Sequence, residues 1–216
     1  MFYIKDKFID DREYILNVDK AETILDAANK VFIRYGYQKA TMDDIAQEAM
    51  IGKSNIYYYF NSKEDIFIKI LEKIKDEMSS TLNKKIESAT TFEEKFKAYL
   101  IEPTKLFMSH NKLFMQVLNE ECPVFLKKLQ EFRLVALEDR KMMLLKIFEE
   151  AKEKGVLKEK YTMSYEKLIN LLTKIIVYSG EHVRVNFSED TVNELINDYM
   201  LFSDILINGL VLQEEK

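Results

Sequence analysis

Apolar residues along this chain recur every three or four positions rather than every second one, the spacing of a helical face and not of a strand. Ile24, Leu25, Ala28, Val31, Phe32 and Tyr35 follow this rule behind Asp19 and Glu22, a capping arrangement, and Gly36 stands where a helix end calls for a left-handed residue. Thr41 with Asp44 opens a short second helix holding Ile45, Ala46 and Ala49, and Gly52 breaks it. A third short helix is predicted over about Lys53 to Phe60. Ser62 with Asp65 caps a longer fourth, running to about Ile86 through Ile66, Phe67, Ile70, Leu71 and Ile74.

The same period continues to the end of the chain. Thr91 and Glu94 start a helix through Phe92, Phe96, Tyr99 and Leu100, which Pro103 interrupts or kinks before Leu106, Phe107 and Met108. A short helix around Leu113 to Leu118 is followed by a long one from about Val124 to Lys154, stopped at Gly155. Two more are expected, roughly Ser164 to Asn186 and Glu189 to Leu212, the last behind a Ser188 cap. Residues 1–17 mix both charge signs with scattered apolar residues and read as a frayed or weakly helical leader rather than a DNA-gripping arm. The expectation is an all-α protein of about nine helices.

Composition agrees and narrows the function classes. Two prolines and five glycines among 216 residues leave a turn-rich β fold without its raw material. The one cysteine, Cys122, excludes an internal disulfide and reads as a small, partly buried hydrophobe. No run is apolar enough for a membrane span and the first residues are not those of a signal peptide, so a cytoplasmic location is expected. A formal net charge of −5 argues against indiscriminate nucleic-acid binding but not against a local site. The two histidines, His110 and His182, have no neighbours at metal-ligand spacing, and no metal or other cofactor is expected.

The stretch KSNIYYYFNSKEDIF breaks the helical pattern with four consecutive aromatic residues, Tyr57 to Phe60. On a helix with Ile56 at the origin, Phe60 lies about 40° away, whereas Tyr57 lies at about 100° and Tyr58 at about 200°. Ile56 and Phe60 therefore face a core, Ser54, Tyr57 and Tyr58 face solvent, and Lys53, Asn55 and Tyr59 lie on the flanks. No carboxylate occurs between Glu48 and Glu64, so this face suits an anionic partner. Two short helices around a tight break at Met50–Gly52 make a helix-turn-helix, whose second helix enters a DNA major groove. Free backbone N–H groups at Thr41 or Ser54, and the Lys63 ammonium, would meet phosphates. Packing alone would account for Tyr59 but leaves Tyr57 and Tyr58 in water.

The span from Ile24 to Ile74 resembles the DNA-binding domain of TetR-family transcriptional repressors. It carries Phe32, Gly36, Tyr37, Thr41, Ile45, Ala46, Ala49, Ile56, Tyr57, Phe60, Lys63 and Glu64 in the family's order. The resemblance implies that Thr41 caps the second helix and touches phosphate, that Lys53, Tyr58, Tyr59 and Lys63 occupy backbone-contact positions, and that Ser54, Asn55 and Tyr57 lie nearest base edges. The chain departs from the family at Met50, usually glycine, at Gly52, usually a small polar residue, and at Tyr59, often histidine. Three parts follow: an extension over 1–18, the helix-turn-helix domain over 19–64, and a helical ligand-binding and dimerisation domain over 65–216.

Broad apolar faces on the last two helices, including Leu172, Ile176, Leu195, Ile196, Tyr199, Phe202 and Leu206, suggest a two-fold four-helix interface between two copies rather than closure of a monomeric core. Phe96, Tyr99, Phe107, Phe114, Phe132 and Met143 supply adaptable apolar lining for a ligand, with Tyr178 and His182 as polar candidates, although ordinary packing is the better explanation of any single one of them. The reading is a homodimeric, ligand-responsive regulator, a repressor released from a pseudo-palindromic operator by a small, largely apolar effector. A helical enzyme and a protein-binding adaptor are the alternatives. No nucleophile–base set, phosphate loop or helical metal motif supports an enzyme.

Overall fold

The structure is a computed structural model. It describes all residues except 1, 5, 6, 10, 111, 114–122, 160–164, 186, 187 and 213–216, and side chains are not described for 1–18, for several positions between 124 and 136, or for 176–185. Among the described residues there are eight helices: α1 Asp11–Tyr35, α2 Met42–Glu48, α3 Lys53–Tyr59, α4 Lys63–Ser88, α5 Phe92–Ser109, α6 Pro123–Glu153, α7 Tyr165–Val185 and α8 Glu189–Leu210. The helix expected near Leu113 to Leu118 lies largely outside the described residues, as does Cys122.

Two differences from the sequence expectation occur at the start of the chain. α1 begins at Asp11, eight residues before the expected cap at Asp19, so Asp19 lies inside the helix and its carbonyl accepts a bond from the Thr23 hydroxyl at 2.8 Å. Asp11 and Glu13 in the first turn favour the helix dipole, and no glycine or proline interrupts residues 11–35. Ahead of it, β1 Phe2–Ile4 and β2 Lys7–Ile9 form an antiparallel hairpin with Phe2 opposite Ile9, where a frayed leader was expected. Aromatic and β-branched residues on both arms favour this pairing.

The remaining helix ends follow local chemistry. Thr41 and Asp44 form a reciprocal capping box, as do Thr91 and Glu94, and Ser188 accepts from the Thr191 amide at 3.0 Å. α5 continues through Pro103 to Ser109. α2 and α6 close in the same way: Ile51 N–H donates to the Ala46 carbonyl and Met50 N–H to Gln47, while Val156 N–H donates to Ala151 and Gly155 N–H to Lys152. This is the Schellman arrangement, and it requires a left-handed residue, found here at Gly155 (φ 64°) and at Met50 (φ 54°).

The chain divides into two compact units, Met1–Ile74 with Asn111–Lys128, and Lys75–His110 with Leu129–Lys216. α4 runs without interruption from one to the other. The first unit buries Ile24, Ala28, Val31, Phe32, Ile45, Ile56, Ile66 and Phe67, with Phe32, Tyr37 and Phe67 in mutual ring contact at 4.7–5.6 Å. In the second, α5 packs against α8, and the core joins Phe92, Phe96, Tyr99, Leu144, Phe148, Ile169 and Leu172. Lys158 N–H donates to the Leu210 carbonyl and Leu212 N–H to Val156, fastening the end of α8 to the α6–α7 link.

Candidate nucleic-acid interface

α3 is held from below and open above. Ile56 is fully buried and Phe60 nearly so, each anchoring the helix by about 1.5–3 kcal/mol of apolar transfer. On the other side Tyr57 and Tyr58 keep 43% and 40% of their surface exposed, large values for rings that could have been folded inward. Ser54 and Asn55 are exposed beside them, and Tyr59 is half-buried, its ring edge-on to Tyr58 at 5.0 Å. Burial pushes the Tyr59 phenol above its ordinary range, so it stays a neutral donor.

α2 stands in front of α3 and is capped by Thr41. The Thr41 hydroxyl donates to the Asp44 carboxylate at 2.6 Å and accepts from the Asp44 amide at 3.2 Å, while the Thr41 amide donates to the same carboxylate at 2.9 Å. These bonds hold Asp44 below the usual carboxylate range. Both polar groups of Thr41 are thus engaged within the helix end. A phosphate contact here would share the hydroxyl with Asp44.

Two basic residues differ from the sequence expectation. Lys63 was placed as a phosphate contact, but its ammonium donates to the carbonyls of Tyr37 at 2.6 Å, Gln38 at 3.1 Å and Ala40 at 2.9 Å, and lies 4.6 Å from the centre of the Tyr37 ring. Three donors meet three acceptors, so this lysine ties the start of α4 to the α1–α2 link instead of presenting a free charge to solvent. Lys53 donates to Asp43 at 2.8 Å, which raises its pKa. The segment from Glu48 to Glu64 has no acid of its own, yet α2 brings one to the N-terminus of α3 across ten residues. Asp43 was therefore missed, because acid-free sequence is not acid-free space.

Two further residues escaped the sequence reading. Lys20 on α1 lines an open hollow of about 350 Å³ together with Thr23, Ile51, Asn55, Tyr58 and Tyr59. Lys39, just before the α2 cap, is exposed and has no ion pair among the described residues. Lys20 gave no signal because it merely follows the expected cap, Asp19, by one position and precedes α3 by more than thirty. Lys39 was visible in principle, two residues from Thr41, as a cation beside a helix N-terminus.

The second unit separates the effector and interface candidates. Phe96 and Tyr99 are fully buried, Phe107 and Met143 half-buried; Phe114 and the side chains of Phe132, Tyr178, His182 and Ile176 lie outside the described residues. Leu172 and Tyr199, expected at a dimer surface, face the core of their own chain instead. One residue is about 100° on a helix, so the exposed positions are their neighbours: Leu171 at 54% against Leu172 at 1%, and Met200, Leu201 and Ile205 on α8. Leu195, Ile196, Phe202 and Leu206 are half-buried at the edge of that core.

Residues 24–70 match the family described as bacterial regulatory proteins, tetR family. Over these residues the chain is similar to the TetR family. It is 29% identical over 116 residues to the uncharacterized HTH-type transcriptional regulator YhgD of Bacillus subtilis, covering 54% of this chain and 60% of that protein. With the HTH-type transcriptional regulator QacR of Staphylococcus aureus it shares 25% identity over 191 residues, 88% of this chain and 97% of that one. The TetR/AcrR-family regulator structure from Thermobifida fusca superposes with a TM-score of 0.63 at 22% identity, covering 88% of this chain and 98% of that chain, and shows the same fold. The aligned part covers less than two thirds of several curated relatives, 60% for YhgD and 40% for the regulator YfiR of Bacillus subtilis. These relatives are named as transcriptional regulators. Among the described residues no group of acids, histidines and cysteines is placed to hold a metal, and no helix is long and apolar enough to cross a membrane.

Proposed function

We propose that this chain is a homodimeric transcriptional regulator that places α3 in the major groove of a pseudo-palindromic duplex and is released by a small, largely apolar effector, acting as a repressor. The observation that carries this reading is the two-sidedness of α3: Ile56 and Phe60 fasten it while Tyr57 and Tyr58 are exposed on the other side together with Ser54 and Asn55. Exposed aromatic rings are unfavourable on a surface with nothing to meet. In a groove their phenols reach base edges and phosphates, and their faces cover thymine methyls.

The exposed apolar positions of α7 and α8, Leu171, Ile175, Leu201 and Ile205, supply a self-complementary face for a second copy. Two copies would set their recognition helices about one helical turn of DNA apart, roughly 34–36 Å. Effector release would act through α4, which begins within the first unit at Lys63 and places Leu82 and Ile86 in the core of the second. The coupling is then the difference in effector affinity between the DNA-bound and free states.

The test is selection of bound duplexes from a random pool at low salt. A recovered inverted repeat with half-sites one turn apart is the expected result. Absence of any enriched sequence, with duplex affinity insensitive to salt, would exclude DNA recognition and leave a protein-binding adaptor.

A further inference from the structure

The core of the second unit contains a polar pair that the packing leaves incomplete. Tyr99 on α5 is fully buried among Phe96, Leu100, Leu144 and Phe148; its phenolic oxygen makes no hydrogen bond of normal geometry, although the Arg140 guanidinium lies close enough to act on it electrostatically. The Arg140 guanidinium on α6 lies over its ring, 5.0 Å from the centroid, and donates once, from Nη2 to the Tyr99 carbonyl at 3.2 Å. Its Nε–H is buried with no acceptor. Met143, one turn further along α6, is half-buried beside the same core.

Several lysines of this unit are paired with acids. Lys95 pairs with Glu150, Lys97 with Glu93 and Asp204, and Lys105 with Glu102. Arg140 has no ion pair with a carboxylate among the described residues. Arg140 is half-buried, and the one donor it buries, Nε–H, is costly to leave without an acceptor. Here the chain supplies a ring face and one carbonyl.

We infer that Tyr99 and Arg140 form the polar end of an effector site in the second unit, and that the effector is an amphipathic carboxylate. One carboxylate oxygen accepts from Arg140 Nε–H and the other from the Tyr99 phenol, while the apolar tail displaces or parts the surrounding Phe, Leu and Met side chains. A methionine flank suits tails of variable shape. A neutral alcohol would satisfy one donor and leave the charge unpaired, and a cation would be repelled. This inference rests on the reading of the second unit as an effector domain, and it narrows "largely apolar" to an anion with an apolar tail.

The test uses the full chain and three probes of equal tail length, decanoate, 1-decanol and decyltrimethylammonium, each below its micellar range, titrated by calorimetry. Decanoate should bind at least about 10-fold more tightly than decanol, the effect of a charge-assisted pair of bonds, and the ammonium should bind least. Arg140→Met, which fills the same space without charge, should bring decanoate and decanol to equal affinity; Tyr99→Phe should weaken decanoate about 3- to 10-fold and leave decanol unchanged. Equal binding of decanoate and decanol by the unaltered chain, no decanoate binding, or a preference that survives Arg140→Met overturns the inference. Should Arg140→Met fail to fold, the probe ratio on the unaltered chain still decides. Duplex selection on the same preparation keeps the two readings apart: an operator without a decanoate preference removes only the effector assignment, and a decanoate preference without an operator removes only DNA recognition.

Discussion

Met50 carries a side chain where its backbone asks for none. It is the C′ residue of α2, with φ 54°, and its side chain is 91% exposed, so the strain is not repaid by burial. A Cβ in the left-handed region costs about 1–2 kcal/mol. Glycine removes that cost but loses about 0.5–1 kcal/mol to its greater freedom in the unfolded chain. Met50→Gly should therefore stabilise the protein by about 0.5–1 kcal/mol, a rise of roughly 1–4 °C in Tm for a chain of this size. Gly155 is the internal control, since it fills the same place at the end of α6 with φ 64° and open space where a Cβ would stand. Gly155→Ala should lower stability by about 1 kcal/mol with no steric component. The assay is urea unfolding followed by helical circular dichroism, with the midpoint compared at constant slope. A Met50→Gly protein that is unchanged or less stable, while Gly155→Ala behaves as expected, would show that the turn between α2 and α3 is not strained and would refute the argument.

Four further outcomes are expected. Tyr57→Ala should weaken binding to a selected operator and relax preference at one or two base pairs, and equal losses on selected and random duplex would remove it from base contact. Lys63→Met should destabilise the chain by about 1–3 kcal/mol through the three carbonyls it leaves behind while the salt dependence of duplex binding keeps its slope; a flatter slope would restore a phosphate role. Leu201→Glu with Ile205→Glu should convert a dimer to a folded monomer in sedimentation, and an unchanged mass would move the interface elsewhere. Asp44 has a folded pKa below its unfolded value, so its contribution is present above about pH 4 and is lost as pH falls through the folded value. Asp44→Asn should accordingly flatten the acid limb of a stability–pH curve, and an identical limb would show the box at Thr41 contributes nothing.

Most of the helices were legible because their signals are local. Caps such as Thr41 with Asp44 and Thr91 with Glu94 act over three residues, and Gly36 and Gly155 mark their own left-handed turns. The start of α1 was misplaced for the same local reason: a good capping pair at Asp19 and Glu22 also fits the middle of a longer helix, and nothing in the preceding residues forbids continuation. The hairpin at Phe2–Ile9 is too short for periodicity to distinguish from a frayed turn.

What the sequence alone determined is the face each residue turns relative to its own helix, and hence that Ile56 and Phe60 hold α3 down while Tyr57 and Tyr58 look outward. That follows from the 100° step and needs no knowledge of the rest of the chain. Only the tertiary structure decided what stands opposite each face: Asp43 against Lys53, three carbonyls around Lys63, Leu172 turned inward and Leu171 outward, and Arg140 laid across Tyr99. Those pairings join residues ten to forty-one positions apart. They depend on how elements dock rather than on the period of any one of them, and charges and donors act through distance in space, not along the chain.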